Sequence, residues 1–161
     1  MKTVDEHQTY EERNLKIPLT NVGLEILCNR LCSEPKIRFC GVVNSMGKPI
    51  TCGFKNNINP LNNEDQRQML CIESSLELSM KSEFNDTLGN VNFITTYRDN
   101  VALITIPMQQ NYLLLMSVER NAEIEHIVKH AVNLFERNSL LGGKNDSMSK
   151  NKISTLISEC A

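Results

Sequence analysis

The stretch "NVNFITTYRDNVALITIPMQQNYLLLMSVE", Asn90 to Glu119, alternates apolar and polar side chains with a period of two. Successive residues of a strand point to opposite faces of a sheet, so this alternation marks half-buried strands. Three strands are expected, near Val91 to Arg98, Val101 to Met108 and Tyr112 to Val118. With Asp99-Asn100 as a two-residue turn, Tyr97 faces Ala102, Thr95 faces Ile104 and Phe93 faces Ile106. The apolar sides of both strands then coincide, which supports this register.

Working back toward the N-terminus, "RFCGVVNSMGKPITCGF", Arg38 to Phe54, closes two apolar runs around a polar turn. It predicts a hairpin of Ile37 to Val43 and Ile50 to Phe54, with Gly47 supplying the positive φ of a tight turn. Pro49 places the second of these strands at a sheet edge. Before the hairpin, Asn21 can cap a helix whose Leu24, Leu27, Cys28 and Leu31 share one stripe, and Pro35 stops it. After the hairpin, a long helix is expected from about Asn63 to Leu88, ended by Gly89. Met69, Ile72, Leu76, Met80 and Phe84 form one stripe on it, while Leu70, Leu78 and Leu88 lie off that stripe. A helix apolar on more than one side has two surfaces to bury.

On the C-terminal side, Asn121 is expected to cap a last helix with Ile124, Ile127, Val128, Ala131, Leu134 and Phe135 on one face. The organised domain is expected to span residues 20–138. Residues 1–19 read as a polar arm, and 139–161 as a flexible tail: 139–152 has the Gly, Ser, Asn and Lys content of a linker, and "ISTLISECA" is too short for an independent helix.

A chain of 161 residues has room for one domain with a real core. Seventeen Lys and Arg against nineteen Asp and Glu give a net charge of −2, which offers no basic field for a phosphate backbone, so no nucleic acid partner is expected. The first residues are charged where a signal peptide is apolar, and no apolar run reaches the roughly 18–20 residues that span a bilayer. The expectation is a cytoplasmic protein without a membrane span. Its six cysteines are then read as free thiols of the core.

No catalytic constellation emerges. The Gly47-Lys48 pair has Val42 where a phosphate loop needs glycine and Pro49 where it needs Ser or Thr; Gly143-Lys144 has Asn138 upstream and follows a helix. Glu123, His126 and His130 share a helix face, but a di-iron site needs a second such helix and two more carboxylates, so a solvated face is the simpler reading. Cys28 and Cys32 lie one helical turn apart and Cys40 and Cys52 lie across the hairpin, without the Cys-x-x-Cys pattern of a redox pair. No Gly-x-Ser-x-Gly elbow is present. No metal, cofactor or catalytic residue is assigned.

The Arg-Phe-x-Gly-Val-x-Asn-x-Met-Gly hairpin (Arg38 to Gly47), the long second helix, the Tyr97-Arg98-Asp99 turn and the capped last helix together resemble the roadblock (dynein light chain) superfamily over about residues 20 to 138. Within it the hairpin is most similar to that of uncharacterised roadblock-like proteins of ammonia-oxidising archaea. The resemblance implies an α/β chain of the α+β type, roadblock/profilin-like: a five-stranded antiparallel sheet with helices on both faces, in the order α-β-β-α-β-β-β-α. It implies a non-catalytic regulatory or scaffold module, a homodimer or a pair with a paralogous roadblock-like chain, associated with a small Ras-like GTPase. Such dimers join through the long helix and the third strand, which would place Met69, Ile72, Leu76, Met80, Val91, Phe93 and Thr95 at the interface. The alternative for these positions is packing within the domain. No GTPase-contact motif carries over, and the arm and tail fall outside the family core. The alternative function is a small-molecule sensor in which the sheet and a helix enclose an apolar pocket.

Overall fold

The hydroxyl of Thr20 starts the first helix, one residue before the expected cap: its Oγ1 accepts the Gly23 N–H at 3.1 Å. In this computed structural model, which describes residues 20–138, helix α1 (Asn21–Cys32) follows, with Leu24, Leu27, Cys28 and Leu31 all buried as their spacing requires. The proposed arm and tail lie outside the described residues. Strands β1 (Ile37–Val43) and β2 (Pro49–Phe54) form the antiparallel hairpin. In its turn the Asn44 Oδ1 accepts the N–H groups of Met46 and Lys48 at 3.0 and 2.9 Å, and Gly47 adopts φ +79°.

Helix α2 (Glu64–Ser82) opens with a capping box. Asn63 Oδ1 accepts the Gln66 N–H at 2.8 Å and Gln66 Oε1 accepts the Asn63 N–H at 3.1 Å. The single helix expected to reach Leu88 is instead interrupted after Ser82 and resumes as a short turn, α3 (Asn85–Leu88). The Ser82 hydroxyl donates to Leu78 O at 2.7 Å, and the Phe84 N–H bonds three residues back to Lys81 O, so the four-residue ladder gives way. Gly89, at φ +83°, ends this second segment as the sequence predicted.

Strands β3 (Ile94–Tyr97), β4 (Val101–Pro107) and β5 (Leu113–Glu119) follow, with a 3-10 turn at Gln109–Asn111 before the last. Thr95 pairs with Ile104 and Tyr97 with Ala102, as the Asp99-Asn100 turn demanded. Strand β3 begins only at Ile94, three residues later than expected, so Phe93 and Ile106 are not a ladder pair. Helix α4 (Ile124–Asn138) starts three residues after Asn121, whose side-chain oxygen is engaged elsewhere, accepting Lys36 Nζ at 3.2 Å.

The sheet is antiparallel throughout, in the order β2-β1-β5-β4-β3. Helices α1 and α4 cover one face over the main core, in which Leu27, Leu31, Cys40, Val42, Ile104, Met116 and Val128 are buried. Helix α2 lies on the other face over a smaller cluster of Val43, Cys71, Leu113 and Leu115. The α+β architecture expected from the sequence is the one observed.

One cation braces the α1 side. Lys55 Nζ donates to the carbonyls of Glu34, Cys32 and Ile37, the latter two at 3.4 and 3.5 Å, and so closes the C-terminal end of α1 against the start of β1. Lys55→Met, which keeps the length and removes the charge, should lower stability by about 2 kcal/mol, read as a lower urea midpoint with an unchanged slope. Gly47→Ala should cost about 2 kcal/mol or more in the same assay. Its φ is positive, and a Cβ there would sit 2.7 Å from the Ile72 Cα.

Candidate functional site

Helix α2 presents two stripes of different character. Cys71, Ser74, Ser75 and Leu78, at i, i+3, i+4 and i+7, face the domain; the first three are buried and Leu78 is half-buried. Three of these four side chains are small. They let the helix approach the hairpin turn closely enough for the Ser75 hydroxyl to donate to Ser45 O at 2.7 Å, while Ile72 meets Gly47 backbone to backbone. The bulky side chains are displaced to the opposite side. Met69, Ile72, Leu76 and Met80 are 64%, 42%, 59% and 70% exposed, and Phe84 and Leu88 beyond them are exposed as well.

This is the reverse of an ordinary surface helix, whose largest apolar groups face the core. The stripe forms a continuous groove with Phe84 and with Thr96 of β3, bordered by Glu73, Glu77 and Lys81. Lys81 Nζ lies 3.9 Å from Glu77 Oε1, a solvated i,i+4 pair on the rim. An apolar centre with a charged border is the anatomy of a protein interface. Strand β3 is the outermost strand on this side, so its outer backbone groups have no strand partner among the described residues.

The seven residues predicted from sequence do not form one face. Met69, Ile72, Leu76 and Met80 are brought together. Phe93 packs against the main core, and Thr95, opposite Ile104, points to that same α1 and α4 side with its Oγ1 buried and without a hydrogen-bond partner among the described residues. Val91 is half-buried just before β3. The helical and strand positions are therefore neighbours around an edge rather than a single patch. Thr96, which does line the groove, was not singled out from sequence. Its place follows from strand parity once β3 is known to begin at Ile94.

Among the described residues no three or more His, Cys, Asp or Glu side chains are placed to hold a metal ion. His130 Nε2 lies 3.3 Å from Glu34 Oε1, spanning from α4 to the end of α1. Cys28, Cys32, Cys40 and Cys71 are buried and free as expected, whereas Cys52, on the edge strand β2, is free but exposed rather than in the core; Cys160 lies outside the described residues. Burial, reinforced by Cys28, pushes the Cys32 thiol up to about 11; burial likewise raises Cys40, Cys52 and Cys71. A nucleophilic cysteine needs the opposite displacement.

Several solved structures share this arrangement. The roadblock/LC7 domain from Streptomyces avermitilis superposes with a TM-score of 0.59 at 13% identity, over 70% of this chain and 91% of that one. The gliding protein MglB from Thermus thermophilus gives 0.60 at 10% identity, over 71% and 84% of the two chains. An MglB described with a tetrameric arrangement gives 0.63 at 11% identity, over 76% and 92%. At such identities the likeness concerns the fold. No curated protein matches this chain in sequence. The model of a family described as of unknown function, DUF6659, matches residues 17–143. The chain therefore belongs to the DUF6659 family, and its described residues carry the roadblock/LC7 fold.

Proposed function

We propose that this protein is a non-catalytic regulatory or scaffold module that works as a dimer, joined through the exposed stripe of α2 and the open edge of β3. The observation that carries the reading is the row of large apolar side chains at Met69, Ile72, Leu76 and Met80, left in solvent beside the open edge of the sheet. Burying the exposed remainder of each would contribute about 1–2 kcal/mol, a drive toward a partner surface. A second copy presents the same stripe and the same edge, and an isologous pairing would bury both at once. A paralogous chain of this fold would serve equally. Val91, and Phe93 and Thr95 behind the edge, would support the strand from the domain side.

The partner class follows from the resemblance of the hairpin and turn motifs to roadblock proteins, including those of ammonia-oxidising archaea. That resemblance points to a small Ras-like GTPase bound across the two-fold axis. The fold neighbours support self-association, since one is described with a tetrameric arrangement. No helix among the described residues is long and apolar enough to cross a membrane, and we place the module in the cytoplasm.

Light scattering of the purified full chain over a range of concentrations should give a mass near twice 18.3 kDa. The double substitution Leu76→Glu, Met80→Glu should return it to a single-chain mass with an unchanged circular dichroism spectrum, because both side chains are exposed in the isolated domain. A double variant that stays dimeric would overturn the assignment of this surface, and a wild-type monomer at all concentrations would overturn the homodimer and leave the paralogous chain as the partner.

A further inference from the structure

A second cavity lies on the same face of the sheet, between the N-terminal half of α2 and the loop over residues 55–62. Its floor is Phe39, Phe54, Leu70, Leu103 and Leu115, and two guanidinium groups stand at its mouth. They differ in their charge balance. Arg38 Nη1 is paired with Glu119 Oε1 at 3.0 Å, and its Nη2 donates to Asn59 O at 3.4 Å. Arg67 donates from Nη1 to Asn62 O at 2.6 Å and rests its cation 5.1 Å from the centre of the Phe54 ring. Among the described residues it forms no ion pair with a carboxylate.

A half-buried Arg held in place by a carbonyl and a ring, with donors to spare and no anion, is prepared for one. We propose that this cavity is a binding site for a short aliphatic carboxylate, with its carboxyl group on Arg67 and its hydrocarbon tail on the Phe39, Phe54 and Leu115 floor. Size selects the class. The cavity holds about 50 Å3, enough for roughly three to five water-sized groups, which matches a tail of a few carbons and excludes a long acyl chain lying wholly inside. The residual positive charge requires an anion at the mouth, and the apolar floor requires carbon beneath it.

Met69, Ile72, Leu76 and Met80 do not line this cavity, so its lining is distinct from the stripe proposed for the dimer.

The test is a titration of the full chain, with its Leu methyl groups labelled, by hexanoate, hexan-1-ol and acetate, followed by NMR. Hexanoate should give saturable shifts at Leu70, Leu103 and Leu115. Hexan-1-ol, which has the tail without the charge, and acetate, which has the charge without the tail, should each bind at least about tenfold more weakly. Arg67→Gln should weaken hexanoate by a similar factor while leaving the weak binding of hexan-1-ol in place. Equal binding of hexanoate and hexan-1-ol to the wild-type chain, or hexanoate shifts confined to residues elsewhere, would overturn the proposal, as would the lack of any saturable shift up to the solubility limit.

Discussion

The near contact between the hairpin turn and the middle of α2 sets the geometry of one whole side of the molecule. Gly47 lies so close to Ile72 that a single added carbon would stand 2.7 Å from its Cα, and Ser75 is fastened to Ser45 O across the same seam. Close approach of a helix backbone to a turn demands small groups on both partners, and here they are glycine on one side and Cys71, Ser74 and Ser75 on the other. Once those positions face inward, helical periodicity leaves Met69, Leu76 and Met80 facing outward. The exposed stripe is thus a consequence of how tightly the helix is seated.

The two faces of the sheet consequently play different parts. The α1 and α4 side holds the larger core, and the Lys55 brace and the His130 to Glu34 pair join its elements to one another. The α2 side has a small cluster, a groove and a cavity. Stability is concentrated on one side and accessible surface on the other, which is how a rigid domain can offer a binding surface without weakening itself.

Much of the fold was legible because its signals are local. The alternation in β3 to β5 fixed a register that places Thr95 against Ile104 and Tyr97 against Ala102, and the stripe of α1 appeared at the spacing that was read. Local pattern failed where a side chain had a competing use. Asn121 looked like a helix cap, but a distant lysine claims its oxygen, and Thr20, one residue ahead of Asn21, took the capping role at α1. The interruption before Phe84 depends on the Ser82 hydroxyl bonding back onto its own helix, which composition cannot distinguish from a solvated serine. For the candidate surface, the large stripe was visible in the sequence. Its exposure rests on the neighbouring small stripe, whose meaning appears only beside Gly47. The Arg67 cavity depends on a loop bringing Asn62 to the guanidinium, a tertiary contact with no periodic signature.

The two ends of the sheet are unequal. Strand β2 opens with a proline, which has no N–H to offer, is paired with a β1 that shifts register at Val42 and Val43, and is crossed by α1 so closely that a Cβ on Gly53 would meet the Asn29 side chain. Strand β3 has none of these obstructions along its four residues. Hydrogen-bonded growth is therefore open in one direction only. Two such sheets meeting at β3, as proposed above, would terminate each other, so the association would saturate at a pair rather than propagate into a fibre.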